Sequence, residues 1–269
     1  MNDRRSGFSL IELLVVIAII GLLIAVLLPT LGSARDSARR VICMSNQRQL
    51  WMAWSMYADN NAGKPVAHAA PNTTERIYWY GAEDIETGVV DHTRGMLADY
   101  IDASMGPRSA FECPSQPEGT YREQGSGGGF TTTYGYNAYA LAPATSGYLD
   151  LSRQRWPAVH DFYQPSQLFV FADTLILLHG STASNSSLLD PPMLFSVRRR
   201  RWAENLSPTT AFRHARRGLG FGQAVIARAD GSANPEQHDP DARSLPEYGI
   251  GSTRSVNDPN YVPNWRRWR

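Results

Sequence analysis

The sequence predicts an α+β protein in which one long N-terminal helix packs its C-terminal half on an antiparallel β-sheet ectodomain. Three observations carry this. Residues 8–28 form an almost unbroken apolar run. Beyond it, apolar side chains recur at helical spacing as far as Tyr57. After residue 60, short β-branched and aromatic runs alternate with loops rich in Gly, Pro, Asn and Tyr.

The apolar run comes first. Its length matches the ~20 residues that a helix needs to cross a bilayer. Glu12 is its one formal charge. A charge at the centre of a membrane helix costs roughly 2.5–3.5 kcal/mol, so a carboxylate here needs a partner or a purpose. Arg4 and Arg5 are the only cations before the run, which places the N-terminus in the cytoplasm and translocates the rest. A secretory signal would have a shorter apolar region followed by a small-residue cleavage site. Gly32-Ser33-Ala34 is only a weak version of such a site. A plain signal anchor would account for length and orientation, but not for Glu12.

Pro29 is expected to end or kink the first segment. The polar stretch 33–40 then leads into a stripe of Cys43, Leu50, Ala53, Trp54 and Tyr57, with Asn46 and Gln47 between the first two. This stripe reads as core. The Asn60–Pro65 stretch carries helix-stopping residues. Residues 8–59 therefore predict a helix about 75–80 Å long.

Residues 60–269 read as one α+β domain, with no internal repeat and no linker. Strands are expected at 76–80, 168–172, 175–178 and 224–227, and a short helix at 94–101. The Gly-rich stretch 125–129 lacks the Lys and Ser/Thr of a phosphate loop and reads as a turn. The formal net charge is +1, so no basic footprint for nucleic acid exists. Only two cysteines occur, Cys43 and Cys113. Outside the cytoplasm one disulfide is the natural reading, closing a long loop worth roughly 4 kcal/mol in the chain-entropy model. Two buried free thiols are the alternative.

Gly7-Phe8-Ser9-Leu10-Ile11-Glu12, with its short basic leader and unbroken apolar continuation, resembles the processing site of type IV pilins and type II secretion pseudopilins. The resemblance implies a pilin-like fold with a leader at 1–7, a transmembrane and assembly helix at 8–59 (membrane part 8–28) and an ectodomain at 60–269. It implies cleavage after Gly7 and N-methylation of Phe8 by a prepilin peptidase/methyltransferase. The mature chain would stand in the bacterial inner membrane as a single-pass protein with a periplasmic ectodomain, until it joins a filament of homologous pilin or pseudopilin subunits. There Glu12 of one subunit could pair with the Phe8 ammonium of a neighbour, since a buried carboxylate needs such a partner.

Further segments are similar to large pilin-like proteins that carry a processing-associated H-X9-DG domain. They are Cys43–Leu50, Tyr57–Asn60, Phe111–Ser115, Tyr134–Asn137, Phe212–His214 and Ala229–Gly231. The spacing departs from that pattern: fifteen residues, not nine, separate His214 from Asp230. The extra residues are expected to form a hairpin loop at 216–222. His214 and Asp230 could meet across that hairpin, as a metal or acid–base pair or as plain packing of a strand-end histidine.

No catalytic residues are expected. The six histidines form no closely spaced ligand set with one another or with the cysteines. No nucleophile elbow occurs. No resident cofactor or metal is expected, with one candidate for calcium: the oxygen-rich stretch of Asp230, Asn234, Glu236, Asp239 and Asp241 beside His238. Two basic-aromatic clusters, 198–202 and 265–269, could contact anionic lipid, polysaccharide or DNA, or simply be solvated. The reading that follows is a non-enzymatic structural subunit of a type IV pilus or type II secretion pseudopilus. The alternative is a membrane-anchored periplasmic module that binds a glycan or secreted substrate.

Overall fold

The computed structural model describes residues 10–71, 75–102, 109–117, 120, 132–142, 158–178, 182–196, 201–216, 218 and 220–262. Its first element is a single helix, α1 (Leu10–Asn60), of 51 residues. The expected break at Pro29 is absent, and the helix runs through it. Proline removes one amide and strands one carbonyl four residues back. That local loss is outweighed by the good helix formers before it, Leu27 and Leu28, and those further on, from Ala34 to Arg40. Thr30 Oγ1 also donates to the Leu27 carbonyl at 2.8 Å, adding a local bond beside the proline.

The two halves of α1 meet different surroundings. From Leu10 to Leu31 the large apolar side chains are all exposed, Leu10 to 80 % and Leu28 to 65 %. No residue of α1 before Cys43 is buried. From there Cys43, Asn46, Gln47, Leu50, Ala53, Trp54 and Ala58 are buried, at the three-to-four-residue spacing of one helix face. The expected stripe is thus present, with Tyr57 partly buried at its edge. The helix stops where left-handed Ala62 (φ 56°) lets the Gly63 amide return to the Ala58 carbonyl at 2.8 Å.

Among the described residues fourteen short strands follow: β1 (Ala69–Pro71), β2 (Glu75–Tyr78), β3 (Ala82–Asp84), β4 (Val90–Asp91), β5 (Tyr134–Tyr136), β6 (Phe169–Asp173), β7 (Ile176–Leu178), β8 (Thr182–Ser184), β9 (Met193–Ser196), β10 (Arg201–Glu204), β11 (Thr210–Ala211), β12 (Ala224–Arg228), β13 (Ala233–Glu236) and β14 (Ile250–Gly251). They make a four-stranded antiparallel meander β1-β2-β3-β4 and a central four-stranded antiparallel sheet in the order β13-β12-β6-β5. Three two-stranded ribbons complete them. The helix expected at 94–101 is instead two 3₁₀ turns, His92–Arg94 and Ala98–Tyr100. Extended Gly95 (φ −70°, ψ 158°) separates them, and Asp91 caps the first by accepting from the Thr93 amide.

The C-terminal half of α1 lies across β12, β6 and β13. β6 and most of β12 are buried throughout, as a sheet covered on both faces requires. Polar groups on the helix face are paired into the sheet: Gln47 Nε2 donates to the Val225 carbonyl at 2.8 Å, and Trp51 Nε1 to the Ala229 carbonyl at 3.1 Å. Buried Trp54 donates to the Tyr136 hydroxyl at 3.2 Å. Its ring stacks on Phe162 at 6.2 Å, and in the same core Trp79, Tyr136 and Phe171 pack on one another, with Trp79 and Phe171 centroids 5.2 Å apart. Since all of this core comes from residue 43 onward, a fragment of residues 30–269 keeps every buried side chain of the helix.

Candidate functional site

Two features stand out from the packed framework: the exposed apolar half of α1, and a buried cluster at the start of its packed half. On the first, Glu12 lies in the opening turn. Sixteen large apolar side chains between Leu10 and Leu31 are exposed on this half. Water-soluble proteins rarely expose a contiguous apolar patch beyond a few hundred Å². This surface therefore belongs in lipid or against other chains. It is long and apolar enough to cross a membrane. Gly7 and Phe8 lie outside the described residues, as do the 125–129 turn, the 198–200 arginines and the 265–269 tail. Arg201 and Trp202 of the first basic-aromatic cluster are exposed on β10.

The buried cluster joins four distant segments. Cys43 comes from α1, Cys113 from the loop before β5, Asp173 from the end of β6, and His214 from a hairpin closed by mutual backbone bonds with Gln223 at 3.0 and 2.7 Å. That closure needs Gly222, because a Cβ there would sit 2.2 Å from the His214 carbonyl oxygen. Helix polar groups set the register. Asn46 Nδ2 donates to the Glu112 carbonyl at 2.9 Å and draws the Cys113 segment onto α1. Arg40 Nη1 donates to Gln223 Oε1 and holds the hairpin.

The cluster atoms meet closely. The Cys43 thiol donates to Asp173 Oδ1 at 3.1 Å, Cys113 Sγ lies 3.4 Å from His214 Nε2, and Nε2 lies 3.1 Å from Asp173 Oδ2. One ligand-type atom from each residue falls within 4.8 Å of every other. Side chains of Asp173 and His214 are 0 % exposed. Around them, the Val225 amide donates to Asp173 Oδ2 at 2.7 Å, the Tyr134 hydroxyl to Cys43 Sγ at 3.4 Å, and the Cys113 amide to Thr133 Oγ1 at 2.6 Å.

The electrostatics follow from burial and neighbours. Burial, the Cys113 thiol and the Asp173 charge push the Cys43 thiol well up. Burial also works to raise Cys113, but hydrogen bonds from Cys43 and His214 and the charge of Arg213 outweigh it and bring it down to about 7. Burial works to lower His214, but the Asp173 carboxylate overcomes this and raises it to about 9. The same pairing with His214 keeps Asp173 low against its own burial.

Several sequence expectations are corrected. Cys43 and Cys113 do come together, but as free thiols and not as a disulfide. Histidine does lie close to the cysteines, although no spacing in the chain announces it. His214 does not meet Asp230; its carboxylate is Asp173. Asp230 sits in the β12–β13 turn, where its Oδ1 accepts from the Ser232 amide at 3.0 Å and hydroxyl at 2.7 Å. Gly231 follows with φ 85°, its missing Cβ facing the Trp51 ring. His214 and Gln223, on either side of the 216–222 stretch, do pair in an antiparallel bridge.

The oxygen-rich stretch 230–241 does not converge. Glu236 pairs with Arg228 and Arg254, Asp239 caps the Asp241 amide, and His238 stacks on Phe221 with centroids 3.9 Å apart. Among the described residues, the one group of three or more ligand-type side chains close enough to share an ion is the Cys43, Cys113, Asp173, His214 quartet.

Compared with known families, residues 2–28 match the model of the prokaryotic N-terminal methylation motif. The comparisons with curated proteins and with solved structures gave no match.

Proposed function

Starting from an N-terminal methylation motif that supports a type IV pilin-like precursor, we propose that the chain is a structural subunit of a type IV pilus or type II secretion pseudopilus. A prepilin peptidase/methyltransferase cleaves it after Gly7 and methylates Phe8. The mature subunit waits in the inner membrane with its ectodomain in the periplasm, then joins a filament through α1. It catalyses nothing; its work is assembly.

One observation carries this reading. A single unbroken helix exposes a nearly continuous apolar surface from Leu10 to Leu31 and, from Cys43 onward, buries one face in a folded domain. Such a helix transmits any packing of its apolar half rigidly to the ectodomain. In lipid the apolar half is satisfied. In a filament the same side chains pack on those of neighbouring subunits, and Glu12 meets the Phe8 ammonium of an adjacent chain. Methylation of that amine leaves its charge in place, so the pairing survives modification.

Mass spectrometry of the mature N-terminus from the native host tests the reading. N-methyl-Phe8 as the first residue is the expected result. An intact Met1, or a first residue beyond 30, would overturn it.

A further inference from the structure

We propose that Cys43, Cys113, Asp173 and His214 form a closed structural zinc site that locks the assembly helix onto the ectodomain. This is independent of the assembly role.

A tetrahedral zinc with its usual bond lengths to sulfur, nitrogen and oxygen has donor–donor edges of about 3.4–3.8 Å. The close contacts are 3.1 Å for Cys43 Sγ to Asp173 Oδ1, 3.4 Å for Cys113 Sγ to His214 Nε2 and 3.1 Å for His214 Nε2 to Asp173 Oδ2, the other carboxylate oxygen; with one donor atom per residue, no pair exceeds 4.8 Å. The three close contacts are a few tenths of an ångström shorter than such edges, and the 4.8 Å limit on the others lies about 1 Å beyond them, so side-chain shifts of that order bring the four donors round one ion. Two sulfurs with an imidazole favour zinc over calcium or magnesium, which take oxygen.

Burial decides between a structural and a catalytic ion. Cys43, Cys113 and Asp173 are 0 % exposed and His214 1 %. Four protein donors fill the shell and leave no open position for water or substrate, as in structural sites.

The surroundings fit a bound dication. The second carboxylate contact of Asp173, to the Val225 amide, fixes the plane of that ligand, and the Tyr134 hydroxyl points at Cys43 Sγ. His214 turns Nε2 to the cluster, while its buried Nδ1 has no hydrogen-bond partner among the described residues. Two thiolates and a carboxylate around zinc leave one net negative charge. Arg213 stands beside it: its Nη2 donates to the Thr174 carbonyl, next to Asp173 in sequence, while its buried Nε and Nη1 have no hydrogen-bond partner among the described residues.

A disulfide between Cys43 and Cys113 explains less. It would use two of the four side chains and leave a carboxylate and an imidazole converging on a bridge that needs neither. In an oxidising compartment, two adjacent thiols are otherwise expected to oxidise. Ligation holds them as thiolates, each releasing its proton as the ion binds.

The test uses residues 30–269 and, in detergent, the full chain, purified without chelator. Elemental analysis is expected to find one zinc per chain. Cobalt(II) added to the metal-free, reduced protein is expected to give thiolate-to-cobalt charge transfer and the visible bands of tetrahedral coordination. Chelation should lower the melting temperature, and zinc should restore it. Asp173→Asn, which keeps the side-chain shape, should weaken zinc binding at least about tenfold, as loss of even an outer partner of a metal ligand does. Three results would overturn the proposal. One is an intact mass two hydrogens light with no alkylatable thiol and no metal. Another is reduced protein that gives no cobalt spectrum. The third is a Cys43→Ser/Cys113→Ser variant that still holds stoichiometric zinc.

Discussion

Replacing Gly231 by alanine distinguishes a structural turn from a functional Asp-Gly element. Gly231 has φ 85°, and a Cβ there would lie 2.9 Å from Trp51 Cη2 and Cζ3. The left-handed backbone costs a residue with a Cβ about 1–2 kcal/mol. The contact is well inside the ~3.5–4.0 Å at which carbon atoms attract. Trp51 cannot simply swing away, because its Nε1 is tied to the Ala229 carbonyl at 3.1 Å. Loosening that bond costs a further 0.5–1.5 kcal/mol or so. Against this, alanine stiffens the unfolded chain, which offsets about 0.4–1 kcal/mol. The net expectation is a loss of about 1–3 kcal/mol. Urea unfolding of residues 30–269, followed by tryptophan fluorescence, reads it as a lower midpoint at constant slope. In the double mutant with Trp51→Ala, the clash disappears and only the backbone cost remains, so the two changes should couple favourably. An unchanged midpoint for Gly231→Ala, or strict additivity with Trp51→Ala, would refute the packing argument.

Four other changes have definite outcomes. Burial raises the Asp190 carboxyl to about 7, against a hydrogen bond from Tyr139 that lowers it. The folded state therefore holds this proton more tightly than the unfolded chain does. The stabilisation is complete below about pH 4 and is lost as pH rises through 7, by up to about 4 kcal/mol. Asp190→Asn should abolish that component, so its stability relative to wild type should climb between pH 4 and 8; parallel stability–pH curves would contradict this. Trp54→Ala should cost about 3–5 kcal/mol, because it empties a fully buried site and frees the Tyr136 hydroxyl; a melting temperature within error of wild type would show that α1 does not depend on that contact. Glu12→Ala should leave membrane insertion intact but prevent filament formation, scored by shearing and electron microscopy, and normal filaments would remove Glu12 from the assembly step. Gly222→Ala should separate the His214 and Gln223 backbones, since its Cβ would lie 2.2 Å from the His214 carbonyl oxygen; the amide of Gln223 should then lose hydrogen-exchange protection, and retained protection would contradict the steric reading.

What could be read from the chain alone was what local pattern encodes. The continuous apolar run, its single carboxylate at Glu12, and the 43–58 stripe each follow from helical periodicity, which needs no partner to be visible. So do the apolar strands β6 and β12, which are buried on both faces. Pro29 does not end the helix, because the loss of one amide is small against the hydrogen bonds of the turns on either side. The 94–101 segment does not form one helix because extended Gly95 divides it into two turns.

The buried quartet was beyond the sequence. Its members come from α1, a loop, the end of β6 and a hairpin, and no short spacing links any two of them. The choice of Asp173 over Asp230 as the partner of His214 was decided by strand order. Pairing of β12 with β6 brings the Asp173 carboxylate to the Val225 amide, on the same side as the hairpin. Asp230 is carried to the opposite end of β12, into a turn under Trp51. Helix formation is a property of neighbours in sequence. Convergence of side chains is a property of how sheets and helices stack, and that is set by the burial of residues far apart in the chain.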